Sequence, residues 1–270
     1  MDMIGRVDVL HGIDDETEDF PKVDVIEDIP KKIGKLIHLR YVNLIELKMR
    51  KLPEELCGLH NLQTLDITGC RELEELPQGI GKLINLRHPE NYKVQSLRFM
   101  PIGIQRLINL RTLKKFVVGN DNKTCSLEGL KYLNIFGELR LSKLGNVSNE
   151  DEARRTELKN KKNLLDLSLD FEKDEGERTN EDDETLLEIL QPPLNLEKLQ
   201  IGHYRGNTIL PNWMMSLTKL KGLSLYNYIN YNYFPLLGKL LSLESLAISR
   251  MDNVKRVSNE FLRIESDGTS

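Results

Sequence analysis

The histidines and cysteines are the residues in this sequence that could perform catalysis or bind a metal. The sequence has five histidines: His11, His38, His60, His88 and His203. They are widely separated, and none has a carboxylate or a nucleophile at the spacing that acid–base or nucleophilic catalysis needs. The cysteines lack the CxxC spacing of a structural zinc site. We therefore expect a non-enzymatic protein with no catalytic, cofactor-binding or metal-binding residues.

The cysteine usage and the hydrophobicity of the chain indicate a cellular compartment. Cys57, Cys70 and Cys125 are odd in number and far apart, which is typical of a reducing compartment rather than of a disulfide framework. The first twenty residues contain no long apolar segment of the signal-peptide type, and no apolar run approaches the roughly 18 residues that span a bilayer. We expect a cytoplasmic protein without membrane insertion. The net charge of -4 offers no global attraction for nucleic acid.

Residues 59–83 (LHNLQTLDITGCRELEELPQGIGKL) form the clearest copy of a unit that recurs along the chain. Leu65 and Ile67 are two residues apart, so both point to one face of a strand, and the polar residues beside them point to the other face. Cys70 marks the turn, where its small side chain must point inside. The second half places apolar residues inward at steps of three to four. One unit cannot bury its own apolar side, so neighbouring units must stack on it.

The same pattern recurs about nine times. The first inward strand position of each copy is residue 42, 65, 89, 113, 139, 167, 199, 223 or 246. We predict an α/β leucine-rich-repeat solenoid, a horseshoe with a concave parallel β-sheet and an irregular, partly short-helical convex side. Pro89 occupies a leucine position. Because proline cannot donate to a strand ladder, we expect a broken or shifted strand over residues 88–92.

The segments of the chain differ in regularity. We predict three of them: an N-terminal cap or truncated repeat with an acidic loop (1–35), the repeat domain (36–257) and a frayed C-terminus (258–270). Within the repeat domain, residues 148–162 are predicted to form a helix that Ser148 caps. Residues 170–184 are acidic and poor in apolar residues, which predicts a flexible loop, followed by a short helix over 185–191.

The outward strand residues are our candidates for contacts with a partner, since a wide sheet lined by side chains suits a protein better than a small molecule. The predicted concave face consists of Tyr41, Asn43, Thr64, Asp66, Thr68, His88, Glu90, Thr112, Lys114, Arg140, Ser142, Asp166, Ser168, Asp170, Lys198, Gln200, Ser224, Tyr226, Ser245 and Ala247. A candidate aromatic patch extends it near the C-terminus: Tyr204, Tyr228, Tyr231 and Tyr233. The aromatic patch has a structural alternative, ordinary packing at the edge of a repeat, and Trp213 is expected in the core.

The basic residues of the middle repeats have two interpretations. They are Arg140, Lys143, Arg154, Arg155, Lys159, Lys161 and Lys162. They could pair with the acidic segment 170–184, or they could form a docking patch for an acidic domain.

Several motifs resemble a known family. The form LxxLxxLxLxxCxxLxxLPxxIxxL at 59–83 resembles the plant intracellular repeat type. Residues 136–172, which include LxLSxLGNV and a following ExA helix, resemble the middle of the repeat region in plant coiled-coil nucleotide-binding leucine-rich-repeat disease-resistance proteins. So do LPNWM at 210–214 and LGKLLSLESLAI at 237–248. The resemblance covers nearly the whole chain from about residue 22.

The resemblance implies a role in plant innate immunity. In that family the repeat region recognises a pathogen effector or a guarded host protein, and it restrains the nucleotide-binding domain. The sequence has no GxxxxGK motif followed by Ser or Thr, so the expected counterpart is the repeat region without the nucleotide-binding domain. The resemblance therefore implies a monomeric protein-recognition module whose partner is an effector, a guarded host protein or a nucleotide-binding domain.

Three other functions remain open at this stage. A substrate-recruiting arm of a ubiquitin ligase would need an F-box-like helical segment, which residues 1–35 do not provide. A secreted receptor ectodomain would need a signal peptide, paired cap cysteines and LxGxIP repeats. A truncated receptor fragment without function is the third alternative.

Overall fold

The computed structural model describes residues 6–8, 29–121, 123–174, 179–207, 210–228 and 237–251. The chain divides into two compact units, Met1–Phe136 (unit 1) and Gly137–Ser270 (unit 2). The predicted C-terminal segment 258–270 and most of the predicted cap lie outside the described residues.

Unit 1 contains one short strand in each repeat. The strands are β1 (Arg6–Asp8), β2 (Tyr41–Asn43), β3 (Thr64–Asp66), β4 (His88–Glu90) and β5 (Lys115–Val117). Strands β1 to β4 form a parallel sheet in chain order. Val42, Leu65 and Pro89 lie in register at its centre and are buried. The inward strand positions 42, 65 and 89 deduced from the spacing are therefore correct. Position 113 is wrong as a strand position, because Leu113 is buried but precedes β5.

Strand β4 is intact, so the predicted disruption at Pro89 is wrong. His88 and Glu90 keep the register of β3, and they face that strand: the His88 N–H donates to Gln63 O at 3.0 Å, and Glu90 O accepts from Ile67 N at 2.9 Å. Because successive residues of a strand face opposite sides, the Pro89 nitrogen faces away from β3. β4 is the last strand of this sheet, which is where a missing N–H is tolerated.

The return segments of unit 1 are 3-10 helices. They cover Lys31–Lys35, Glu54–Gly58, Gln78–Lys82, Ile102–Arg106 and Leu127–Tyr132. The first four follow a proline whose φ lies between -58° and -67°, the value its ring imposes. Neighbouring segments pack closely: a Cβ on Gly81 would lie 2.7 Å from Gly103 O. Gly81 therefore sets how closely these two repeats stack.

Cys70 has the predicted place at the turn of its repeat. Its side chain is buried, and its Sγ donates to Leu44 O of the preceding repeat at 2.9 Å. Burial raises the pKa of the Cys70 thiol to about 11. The thiol therefore stays protonated and links two repeats.

Unit 2 has longer strands. They are β6 (Gly137–Ser142), β7 (Leu164–Asp170), β8 (Lys198–Gly202), β9 (Gly222–Tyr226) and β10 (Ser245–Ser249). They pair in parallel and in chain order, and their inward leucines lie in register: Leu139, Leu167, Leu199, Leu223 and Leu246. The return segments contain two α-helices and four 3-10 helices within the described residues: α1 (Glu150–Arg155), α2 (Asn180–Ile189), Leu144–Asn146, Leu158–Asn160, Asn212–Ser216 and Leu237–Lys239.

The predicted acidic loop 170–184 is wrong at both ends. Asp170 is the last residue of β7, and α2 begins at Asn180. Thr179 and Asp182 form a reciprocal capping box at the start of that helix. The acidic composition suggested a loop, but acidic residues also favour the first turn of a helix. Helix α1 is likewise shorter than predicted, and Asn149 rather than Ser148 is its N-cap.

A left-handed residue follows the strand in most repeats of both units. These residues have φ between 52° and 74°: Glu46, Gly69, Lys93, Lys143, His203, Asn227 and Arg250. Each occupies the fifth position after the first outward residue of its strand, so these seven repeats leave the sheet through the same turn. The parallel strands and the 3-10 return segments confirm the leucine-rich-repeat solenoid as the fold class.

Candidate functional site

The outward residues of unit 1 form a half-buried polar surface on its strands. The predicted contact residues in this unit all have intermediate exposure: Tyr41, Asn43, Thr64, Asp66, Thr68, Glu90 and Lys114. Tyr41, Thr64 and His88 form one row in register. The ladder therefore brings neighbouring repeats together on one face, as the alternation of the strands predicts.

The polar side chains at the ends of these strands bind their own turns. Asn43 Oδ1 accepts from the Ile45 N–H at 3.1 Å. In the next repeat, Asp66 Oδ1 accepts from the Thr68 N–H at 3.0 Å. This hydrogen bond to the backbone two residues on is a local Asx turn, so it stabilises the exit from the strand.

Glu90 makes the cross-repeat contacts of this face. Its carboxylate accepts from Thr112 Oγ1 at 3.0 Å, and Thr112 Oγ1 also lies 3.4 Å from His88 Nδ1. Lys114 Nζ lies 3.9 Å from Glu90, with both side chains partly exposed. Exposed pairs at this distance contribute little to stability.

The outward residues of unit 2 lie in two complete rows. The first contains Glu138, Asp166, Lys198, Gly222 and Ser245, and the second Arg140, Ser168, Gln200, Ser224 and Ala247. Lys198, Ser245 and Ala247 are exposed, whereas Asp166, Gln200, Ser224 and Tyr226 are partly buried. Burial, followed by the charge of neighbouring Glu138, raises the pKa of Asp166.

Three of the predicted concave-face residues of unit 2 are buried. Ser142 and Ser168 are each 7% exposed, and Asp170 is 4% exposed. Ser168 lies in register between Arg140 and Gln200, whose longer side chains flank it. The hydroxyl groups of Ser142 and Ser168 are buried without a hydrogen-bond partner among the described residues, and so is Arg140 Nε.

Asp170 joins three further side chains at the ends of the strands into one network, which we call the Asp170 cluster (Arg140, Asp170, His203 and Tyr226). Arg140 Nη2 donates to Asp170 Oδ2 at 2.9 Å, and the Tyr226 hydroxyl donates to the same oxygen at 3.0 Å. His203 Nδ1 lies 2.8 Å from Asp170 Oδ1. Arg140 Nη2 also lies 3.2 Å from the Tyr226 hydroxyl oxygen. One carboxylate therefore organises groups from four consecutive strands or their exit turns.

Gly202 allows Tyr226 to reach Asp170. Tyr226 on β9 and Gly202 on β8 are in register. A Cβ on Gly202 would lie within 2.0–2.5 Å of the Tyr226 ring, so the ring occupies the space where a side chain of β8 would stand. His203, which follows Gly202, packs edge-on against the Tyr226 ring with centroids 5.5 Å apart.

The electrostatics of the cluster follow from burial and pairing. Asp170 is 4% exposed, and burial alone would raise its pKa. The hydrogen bond from Arg140 and the positive charges nearby outweigh burial and lower the pKa of Asp170. Burial, and then the charge of Asp170, raises the pKa of Tyr226. The carboxylate therefore stays ionised and the phenol stays protonated, which is the combination that their hydrogen bond needs.

The cluster is partly open to solvent. The side chains of Arg140 and His203 are 43% and 32% exposed. Their exposed polar atoms can bind a partner while Asp170 fixes the orientation of both side chains. The arrangement therefore suits the binding of polar groups by a pre-formed surface.

The predicted aromatic patch is wrong where the structure describes it. Tyr204 and Tyr228 are 0% and 2% exposed. Tyr204 packs edge-on against Phe171 at 5.4 Å and lies 5.2 Å from Tyr228, so these rings belong to the core. Trp213 is also buried, as predicted. Tyr231 and Tyr233 lie outside the described residues.

Two of the basic residues of the middle repeats pair with the acidic segment 170–184. Besides the Arg140–Asp170 pair, Lys143 Nζ lies 2.5 Å from Asp174. Lys161 is 9% exposed, and burial lowers its pKa to about 8. Charge complementarity with the acidic segment, the first of the two interpretations, is what the structure shows at Arg140 and Lys143.

Sequence reasoning missed His203 and Gly202. The sequence separates His203 from Asp170 by 33 residues, so their spacing gives no catalytic signature. An alignment of the repeats would place Gly202 beside Tyr226, because they are 24 positions apart, which is one repeat. A glycine at an outward strand position is thus the signal for a large side chain on the next strand.

None of the helices that the structure describes is long and apolar enough to span a bilayer.

Comparison with known proteins agrees with this architecture. Residues 127–251 match a family model described as R13L1/DRL21 LRRs. The chain is 39% identical over 223 residues to disease resistance protein RGA2 of Solanum bulbocastanum, and 33% identical over 242 residues to a putative disease resistance RPP13-like protein 1 of Arabidopsis thaliana. These matches cover 82% and 86% of this chain but 23% of each relative.

A solved structure is also similar. The functional domain of InlJ from Listeria monocytogenes aligns with 84% of this chain and 47% of that structure, at 9% identity and a TM-score of 0.49. The plant relatives and the matched repeat model confirm the predicted resemblance: residues 127–251 match leucine-rich repeats of the R13L1/DRL21 type, and the chain is similar, over most of its length, to plant disease resistance proteins.

Proposed function

We propose that this chain is a protein-recognition module of the plant disease-resistance type, with the outward strand face of unit 2 as its contact surface. The Asp170 cluster is the observation that carries the proposal. It holds an arginine, a histidine and a tyrosine in fixed positions through one buried carboxylate. Arginine and tyrosine are the residues that most often dominate binding energy at protein interfaces.

The surroundings of the cluster support recognition of a protein surface. The row that contains Arg140 continues through Gln200, Ser224 and Ala247, whose small or uncharged side chains leave room for side chains of a partner. All of these residues lie on strands, which hold them more rigidly than loops would. Rigid positioning reduces the ordering cost of binding and so favours affinity.

The class of partner follows from the resemblance and from the relatives. A pathogen effector or a guarded host protein is one candidate, and the nucleotide-binding domain of a receptor, which the module would restrain, is the other. We propose that the chain acts as a monomer inside the plant cell. The buried cysteines Cys57, Cys70 and Cys125 are compatible with a reducing compartment.

A matched pair of arginine substitutions tests the contact surface. Ser224→Arg places a large side chain on the strand face beside the cluster, whereas Thr218→Arg places the same side chain on an exposed turn. Proximity labelling in leaf cells should capture the same partners with the parent chain and with Thr218→Arg. Ser224→Arg should lose them, and calorimetry with a purified partner should show at least about ten-fold weaker binding.

The same variants distinguish the two classes of partner. A nucleotide-binding domain from a full-length plant disease-resistance protein should bind the parent chain and Thr218→Arg if restraint is the role. Equal partner capture by Ser224→Arg and the parent, with both folded by circular dichroism, would overturn the assignment of the strand face.

A further inference from the structure

Four turns that precede the strands of unit 1 share a sequence that the proposed function does not use. They are residues 35–40 (KLIHLR), 58–63 (GLHNLQ), 82–87 (KLINLR) and 106–111 (RLINLR). In each of them both leucines point inward except at Leu36, while the residue after the first leucine points to solvent. The repetition places one outward residue per repeat along a single line.

Hydrogen bonds between repeats fix this alignment. The side chains of Asn61, Asn85 and Asn109 each donate to the carbonyl of the preceding turn at 2.8–2.9 Å. These carbonyls belong to Ile37, His60 and Ile84. Nearer the strands, the N–H groups of Gln63, Arg87 and Arg111 each donate to the corresponding residue one repeat earlier at 2.8 Å. The four turns therefore form a stack with a constant offset.

Exposed isoleucines occupy the centre of the stack. Ile37, Ile84 and Ile108 are 49%, 58% and 65% exposed, and His60 fills the same position in the remaining repeat. Single exposed apolar residues are normal on a protein surface, but a periodic line of them is the kind of patch that marks an interaction site.

Basic residues flank the isoleucines on both sides. Exposed lysines and arginines occupy the first or last position of three turns: Lys35, Arg40, Lys82, Arg87, Arg106 and Arg111. The four segments contain no acidic residue. None of these six side chains forms a salt bridge with another described residue, although Arg111 lies over the Phe136 ring at 6.0 Å. Glu54, in the adjacent 3-10 helix, instead accepts from the N–H groups of Gln78 and Gly79.

From this pattern we infer that the edge formed by these nine residues, the basic–isoleucine edge, binds an acidic amphipathic α-helix of a protein partner. Parallel strands repeat about every 4.8 Å, and side chains three or four apart on a helix are about 5–6 Å apart. A helix laid along the edge can therefore present one apolar side chain to each repeat. Acidic residues on both flanks of that helix would meet the two rows of bases.

The composition of the edge favours this partner over nucleic acid or a membrane. Phosphate groups would use the bases but leave the isoleucines without an apolar counterpart. Interfacial membrane sites typically insert tryptophan or phenylalanine, and the four turns contain neither. The basic–isoleucine edge belongs to unit 1 and uses no residue of the Asp170 cluster. An experiment can therefore refute this inference without refuting the proposed contact surface of unit 2, and the reverse.

Fluorescence anisotropy with the full chain tests the inference. The probe is a labelled synthetic peptide of about five helical turns, with leucine at every third or fourth position and glutamate on both flanks. The expected result is saturable binding that weakens when salt rises from about 50 mM to about 300 mM. Arg87→Glu combined with Arg111→Glu should weaken binding at least about ten-fold, and Ile84→Ser with Ile108→Ser should do the same.

Matched controls distinguish an effect of the basic–isoleucine edge on peptide binding from an effect of the net charge of the chain. Lys48→Glu with Arg71→Glu changes the charge equally at exposed residues that follow the strands, and binding should stay within about two-fold. Three results would each overturn the inference. The control variant could lose as much peptide affinity as the edge variants, a peptide with lysine in place of glutamate could bind equally well, or the parent chain could fail to bind about 1 mM peptide. Sedimentation with vesicles containing phosphatidylserine is the last arm: vesicle binding that the edge variants abolish, without peptide binding, would assign the edge to a membrane instead.

Discussion

In unit 1 the polar side chain at the end of a strand stabilises its own turn, whereas in unit 2 the corresponding side chain joins four strands. Asn43, Asp66 and Asp170 all accept the backbone N–H two residues on. Asp170 additionally binds Arg140 and Tyr226 across the sheet. The turn hydrogen bond is therefore common to these three strand ends, and the additional hydrogen bonds are specific to the Asp170 cluster.

The difference has two structural causes. The strands of unit 2 extend over five to seven residues where those of unit 1 extend over three, so more outward positions lie in register. In addition, Gly202 leaves the space that Tyr226 crosses. The repeat pattern therefore determines which residues are buried in both units. The contacts on the outward face depend on which side chains lie in register on neighbouring strands.

The largest expected loss of stability comes from substitutions on the inward face, which is built from stacked leucines in both units. Leu65→Asp in unit 1 and Leu167→Asp in unit 2 each bury a charge among stacked leucines, which costs several kcal/mol, so both should abolish the cooperative unfolding transition. Thr64→Asp, on the outward side of the same strand as Leu65, should lower the free energy of unfolding by less than about 1 kcal/mol. Urea denaturation followed by circular dichroism measures this, and a parent-like transition for Leu65→Asp would contradict the assigned facing.

The second effect compares the two strand-end carboxylates directly. Asp170→Ala leaves the partly buried Arg140 guanidinium and the Tyr226 hydroxyl without their acceptor, and should lower the free energy of unfolding by about 2–3 kcal/mol. Asp66→Ala removes one turn hydrogen bond and should cost about 1 kcal/mol. If both variants lost the same free energy of unfolding in urea titrations, the cross-strand hydrogen bonds of the Asp170 cluster would add no stability beyond that of the turn hydrogen bond.

A smaller effect tests the role of Gly202. Gly202→Ala must displace the Tyr226 ring and should lower the free energy of unfolding by about 1–2 kcal/mol. Gly222→Ala is the control, because a Cβ there would meet Lys198 at an ordinary 3.4 Å. Combining Gly202→Ala with Tyr226→Ala should cost less than the sum of the single changes, and strict additivity would show that the ring does not occupy that space.

The smallest effect is a dependence on pH. Because the pKa of Asp170 is lowered in the folded chain, its contribution to stability is fully present above the unfolded value of about 3.9 and is lost as the pH falls through the lower folded value. The difference in free energy of unfolding between the parent chain and Asp170→Ala should therefore narrow below about pH 4. A difference that stays constant down to about pH 2 would mean that Asp170 is not stabilised as an anion.

The sequence predicts the inward half of this molecule well. The positions of Leu65, Leu139 and Leu199 follow from a period of two within each strand, which is local, and from the same apolar pattern in each neighbouring repeat, which the sequence shows directly. Cys70 and Trp213 are likewise placed correctly, because a small turn residue and a large aromatic in a return segment have few alternatives.

The outward half depends on contacts between repeats, which spacing alone does not reveal. Tyr204 and Tyr228 look like a surface patch until Phe171 is placed against them. The acidic segment before Thr185 looks like a loop because composition does not show that Thr179 and Asp182 cap each other. Pro89 is tolerated because β4 ends its sheet, which depends on the pairing of neighbouring strands.

The most direct test of the contrast between the two units is a pair of double-mutant cycles. Arg140→Ala and Asp170→Asn, separately and together, give the coupling within the Asp170 cluster, and Lys114→Ala with Glu90→Gln gives the coupling of the 3.9 Å pair in unit 1. We predict a coupling free energy of about 1–2 kcal/mol for the first pair and below about 0.5 kcal/mol for the second. A coupling for Arg140 and Asp170 no larger than that for Lys114 and Glu90 would contradict the claim that unit 2 carries a cooperative site.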